Sequence, residues 1–503
     1  MPRRRVVDVQ PSIRGLNLAA DSNHLAPDEL REAKNVRLSE AGGATGRLGT
    51  RRIHAAALPA SVQNGFGWIQ SGSASELVVS NGTLYTATFG TPTTFTPQSG
   101  ALSNTGAPMF APFRDAGANV VYIGDGGPLN KWNGTTLTVN IASTPNVRLL
   151  AVYNERLFGA SGNDDTLHFS ALGDGDTLGN AGAGGGAAAV RVFGQRRITA
   201  LLPLGGSLLL LHERGISRFT GLSLDDINIS AGTQGYSVDV GTTAPRSLVS
   251  VDLAAMVATE RGIYWLTEGN AELVSQKITP VFRSLASTDL ANVTAVHCRS
   301  FNEVWFFIPG AGVYVYNYLA REWSGPWPDG FLSPALTAIW ETQNSNGTPI
   351  VLAGDSSGWV RWCDVPSLYR DNALSDGSGG TTYKSVTKFH RMTCGDPANE
   401  KSLRWGYLYA DLGGSLQCVV RWQTRSGGGS FTLTPNDVVA WDDAGTAWDA
   451  GQWDEGSGTA VQMFRVPMSG YGPDVDVSVE DDGGRAILIS RFDLEAFSMG
   501  RRG

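Results

Sequence analysis

Short apolar runs of about four to eight residues, broken by turns rich in Gly, Asn and Asp, recur along this chain, and no stretch holds the 3.6-residue spacing of a long helix. The central part repeats weakly. Its unit is an apolar strand, a turn, a second strand ending in aromatics, then a looser segment. It is seen at FGWIQSGSASELVVSNGTLYTAT (66–88) and MFAPFRDAGANVVYIGDGGPLNKWNG (109–134), and again at 149–170, 198–221, 248–269, 293–323 and 336–364. Starts about 40 to 50 residues apart match the four-stranded blade of a β-propeller. One such sheet buries little and leaves two bare edges; several packed radially bury both faces. The pattern predicts an all-β chain with a propeller of about seven blades over residues 60–370, although six or eight fit if the units are cut differently. Tyr85, Trp132, Phe169, Phe219, Trp265, Tyr316 and Trp359 fall at strand ends and are expected as core between blades. The Gly-His and Trp-Asp marks of WD40 blades are absent, and the kelch-like YLAREW occurs once, without the Gly-Gly pair.

Two segments break the rhythm. GDGDTLGNAGAGGGAAAV (173–190) has the composition of a mobile loop between the third and fourth units. LYRDNALSDGSGGTTYKS (368–385) reads as a linker, with 371–385 as its core, and limited proteolysis is expected to cut at one of the two. Beyond it, SLQCVVRWQT, DVDVSVEDD and ILISRFDLEAFS alternate with period two and predict a separate C-terminal β-sandwich over 386–503.

Residues 1–59 fit neither part. LAPDELREAKNV (25–36) opens like a helix, with Pro27 set for the first turn and Asp28, Glu29 and Glu32 facing the dipole. RLSEAGGATGRLGTRR then reads as a hairpin. Residues 1–52 carry a net +4, against −8 for 53–383 and −4 for 384–503. A basic leader on an acidic body suggests docking on a partner, through Arg47, Arg51 and Arg52. On that reading, deleting residues 1–40 leaves the monomer folded and impairs assembly.

Candidate chemistry is sparse. No apolar run is long enough for a membrane span, and MPRRRVVDVQPS lacks the apolar core of a signal peptide. The four cysteines (298, 363, 394, 418) have no metal spacing and read as buried, reduced thiols. Asn163, Asp164, Asp165, Asp174 and Asp176 lack EF-hand spacing and read as solvated turns. The six histidines show no metal or nucleophile pairing, and the Asp box of sialidases is missing. No catalytic set, metal or cofactor is expected. WDDAGTAWDAGQWD places Trp441, Trp448 and Trp453 among acids, as a protein interface or as the cap of the sandwich.

The leader resembles the start of tail-nozzle or tail-hub proteins of short-tailed bacteriophages, the DNA-stabilisation proteins of the tail tube. The matching residues are Gly15, Leu16 and Asn17; Pro27 and Leu30; Ala33 and Asn35; and Arg47, Gly49, Arg51 and Arg52. RRITALLPLGGSLLLLHERGISRFTG, GIYWL, VYVYNYLAREW and HRMTCGDPANEKSLRWGYL resemble later parts of that family. The resemblance implies a structural virion protein without enzymatic activity, made in the bacterial cytoplasm. It implies a ring, commonly a hexamer, below adaptor and portal, carrying tail fibres or spikes, retaining the DNA and then releasing it. A net charge of −8 per chain suits a conduit, since each Lys/Arg–phosphate contact would hold the passing duplex. The alternatives are an adhesin or carbohydrate-binding propeller and a propeller-type glycosidase, the latter needing two converging carboxyls.

Overall fold

The computed structural model describes residues 4–500 apart from 23, 40–41, 71–72, 91–92, 191–196, 222–232, 238, 329–334, 395–396, 413–417, 434–460 and 482–486. Seven antiparallel units follow one another at 62–97, 109–138, 149–189, 198–237, 249–273, 294–327 and 336–365, here blades one to seven. Six are separate four-stranded sheets; the outer strand of blade six continues into a ten-stranded sheet. The first strands of neighbouring blades lie side by side around the axis. Each pair of adjacent blades shares an apolar cluster, and blade seven shares one with blade one (Trp340 and Leu352 with Val62 and Val78), so the ring closes. Trp132, Phe169, Phe219, Tyr316 and Tyr85 sit in these seams, and Trp265 packs against one of them. Trp359 differs, lying against His54 and under the Arg52 guanidinium.

The closing seam holds a buried acid. Glu76 of blade one accepts from Trp340 Nε1 (3.1 Å) and Thr342 Oγ1 (2.5 Å) of blade seven. Burial raises its carboxyl from 4.5 to about 7, against the opposing pull of the two hydrogen bonds. The folded state therefore holds a proton that the unfolded chain has released. The resulting stability is full below pH 4.5 and is lost as pH rises through about 7. The loss is of order 3 kcal/mol. Glu76→Gln should flatten this dependence in urea titrations at pH 5 and pH 8; a variant that keeps the parent slope would refute the assignment.

Blade seven has three strands of its own, 336–343, 349–355 and 360–365. Its fourth is leader segment 49–52, with Thr50 opposite Cys363, Arg51 opposite Trp362 and Arg52 opposite Arg361. The rest of the leader belongs to the C-terminal sheets. Residues 4–8 pair with 494–498, and 36–38 and 44–46 extend the same sheet. The expected helix at 27–36 is instead strand 29–34, set between 322–327 of blade six and 385–389. A register shift after Leu30 turns Leu30 and Ala33 to the same buried side, which reproduces helical spacing inside a strand.

The two C-terminal sheets face each other as a sandwich. Leu408, Phe464 and Phe492 of one meet Val420, Val477 and Phe389 of the other, in a core continuous with blades five and six and with Leu16, Leu30 and Val36. The expected boundaries at 59 and 386 therefore do not separate independent layers. Nor is 173–190 a loose loop. Asp174 and Asn180 cap short 3-10 turns, and 186–189 is the outer strand of blade three. Asp176 reaches blade two, where it accepts from Tyr122 Oη at 2.8 Å and pairs with Lys131. Segment 371–385 is docked too, with 370–371 paired to 381–382 and Asp371 and Tyr383 buried. All four cysteines are buried and free, as the sequence suggests, with burial pushing their thiols up.

Candidate functional site: a joint and a polar cleft

Two places concentrate polar groups. The first is built by the leader. Asn35, buried with φ 54°, donates from Nδ2 to Lys384 O at 2.9 Å and accepts from Arg47 Nε at 2.9 Å. The Arg47 guanidinium, fully buried, forms a fork on Asp371 at 2.8 and 2.5 Å and lies 3.9 Å from the Tyr383 ring centre. Burial alone would lower its pKa; Asp371 reverses this and raises it. Gly49 has no room for a side chain, since a Cβ there would stand 2.0 Å from Arg370 O. Arg37 lies between Glu303 and Asp364, 2.8 Å from each.

This corrects the docking role drawn from the sequence for Arg47. Arg47 has no surface to offer a neighbouring subunit; its acid is in its own chain. Arg51 and Arg52 are half-buried over the Trp362 and Trp359 rings of blade seven, 5.0 and 4.1 Å from their centres. Trp441, Trp448 and Trp453 lie outside the described residues.

The second place is a cleft of about 630 Å³ on the face where the first strands begin, over blades two to five. Its polar lining comes from the residues just before three first strands (Asn146, Arg148; Arg197; Thr243) and from the 161–164 turn of blade three, with His168 behind. Arg148 donates from Nη2 to Thr105 O at 3.1 Å, and no carboxylate pairs with it among the described residues. Arg197 pairs with Glu213, yet among the described residues its buried Nε has no partner, nor has His168 Nδ1. Burial lowers the His168 pKa, which leaves the ring neutral at pH 7. Asp164 is the one carboxylate of the described lining, and its Oδ1 accepts from Thr166 N. Asp174 and Asp176 are elsewhere, so the suggested acids do not converge. No group of three or more His, Cys, Asp or Glu able to hold a metal occurs among the described residues.

Close by, Arg246 reaches from the segment before blade five to Thr337 O of blade seven, at 2.7 Å.

Sequence reasoning missed the cleft. Its visible signal is an Arg directly before the first strand in consecutive units, NVRLLAV and QRRITAL.

Fold and site define a seven-bladed propeller locked to a β-sandwich by its own N-terminal strands, with a polar cleft near the axis. No family model and no curated protein matches the chain. Among solved structures it is similar to the extracellular domains of two hybrid two-component systems of B. thetaiotaomicron. One has a TM-score of 0.43 at 14% identity, covering 77% of this chain and 47% of that one. The other has 0.41 at 13%, covering 77% and 48%. The chain thus spans about half the length of each, and likeness at this level does not extend to ligand or role.

Proposed function

We propose that this chain is a structural subunit of a ring-shaped DNA conduit in the tail of a short-tailed bacteriophage, without hydrolase activity. One observation supports the reading: the leader residues on which the resemblance to tail-nozzle proteins rests include those that build the joint. Leu30 and Ala33 are the buried residues of the bridging strand, Asn35 and Arg47 lock it to 371–384, and Gly49 to Arg52 complete blade seven. A motif with this structural duty marks a shared architecture more than a shared ligand. Electron microscopy of the purified chain with its adaptor should show closed rings. A chain that stays monomeric under all conditions, adaptor included, would rule the conduit out.

A second reading, an adhesin or carbohydrate-binding propeller, is favoured by the cleft. Its volume falls in the ~300–1,000 Å³ range of small-ligand sites, and its polar lining calls for a polar guest. Binding of the monomer on a glycan array, with no ring formed, would decide for it.

A further inference from the structure

The Arg148 guanidinium stands in the cleft with no carboxylate partner among the described residues, whereas Arg197 is paired with Glu213 and Asp164, the one carboxylate of the described lining, accepts from its own turn. Arg148 is anchored through Nη2 to the backbone carbonyls of Thr105 and Asp125, which leaves Nε and Nη1 without acceptors among the described residues. The side chains of Asn146, Asn163 and Thr243 engage no other described residue. His168 Nδ1 and Arg197 Nε are buried and have no hydrogen-bond partner among the described residues. Buried polar atoms are ordinarily satisfied; these two are not, and with the solvent-facing amides, hydroxyl and guanidinium beside them they form a surface that can recognise a ligand's oxygen atoms. Fixed, planar guanidinium donors suit a carboxylate or phosphate. Amides and hydroxyls suit the alternating donor–acceptor character of sugar hydroxyls. Among the described residues the lining offers no Trp, Tyr or Phe face for a neutral sugar ring, so the charge has to provide most of the affinity.

We propose that this cleft binds a small polyhydroxylated anion, a sugar bearing a carboxylate or a phosphate. Arg148 takes the charge, and Asn146, Asn163 and Thr243 take the hydroxyls. The inference rests on the second reading above and is independent of ring formation.

The test is calorimetric titration of the full chain with glucuronate, glucose 6-phosphate, glucose and inorganic phosphate. At least one sugar acid should bind with a Kd near or below ~1 mM, and whichever of the two binds more tightly identifies the anionic group. Glucose should bind at least about 10-fold more weakly, because a charge-assisted hydrogen bond is lost. Arg148→Ala should weaken the sugar acid about 10- to 100-fold. Since Arg148 also ties residue 105, Asn146→Asp serves as the second variant: it keeps that tie and repels an anion, and should weaken binding at least about 10-fold at an unchanged melting temperature. The proposal fails if no sugar acid binds, if glucose or inorganic phosphate binds as tightly, or if both variants keep the parent affinity. Should the parent chain and both variants bind the same acidic glycans on an array equally, the binding reading stands and this site is wrong. If the array is also blank, both fall.

Discussion

Deleting residues 1–40 is expected to abolish the native fold of the C-terminal sheets, rather than release an intact monomer that merely fails to assemble. The segment supplies strand 4–8 at one edge and strand 29–34 between blade six and strand 385–389. It also buries Ile13, Leu16, Leu30, Val36 and Leu38 at 4% exposure or less. Each such side chain is worth about 1.5–3 kcal/mol, so the set contributes roughly 7–15 kcal/mol. That is comparable with the whole stability of a typical domain, about 5–15 kcal/mol. The truncated chain should lose its near-ultraviolet circular dichroism and aggregate or be proteolysed within 385–500. A truncated chain that melts cooperatively with the parent's near-ultraviolet spectrum would disprove the integrated leader and restore the idea of a dispensable arm.

Arg47→Ala is expected to be the most damaging single substitution at the joint. It leaves Asp371, fully buried, without its cation, and removes the donor to Asn35 Oδ1. Breaking a buried pair from one side costs about 3–5 kcal/mol, mostly through the stranded charge. The measurement is the urea midpoint followed by tryptophan fluorescence, because Trp327 stands 5.9 Å from the Arg47 guanidinium. Adding Asp371→Ala should recover part of the loss, since the double variant strands no charge. If the double variant loses the sum of the two single effects, the residues act independently and the joint is not held by this pair. A surface salt bridge would behave differently, contributing about 0–1 kcal/mol at most; this separates the buried role from the docking role.

Much of the molecule is legible in one dimension. The blades are local meanders, each strand pairing with the next across a short turn, so period-two alternation and turn residues report them directly. GTLYTAT and GIYWL fall on described strands for this reason. The four buried thiols and the alternating C-terminal strands follow from the same local rule. The leader was misread because its signals are local and its structure is not. Pro27, the acids and the Leu30–Ala33 spacing all favour a helix. Yet the segment is held as a strand by partners at 322–327 and 385–389, and a bulge imitates helical spacing. Arg47, Arg51 and Arg52 look like a basic surface in the sequence, but charge does not reveal burial. Asp371, the acid that neutralises Arg47, is 324 positions away. The cleft has the same character, assembled from segments before three successive first strands. The sequence alone thus determines the all-β class and the repeat of short strands through the blades, because turns and alternation are properties of neighbours. Tertiary structure decides which edge the leader completes, which charges are buried and where unused donors converge, because each depends on residues that only closure of the ring brings together.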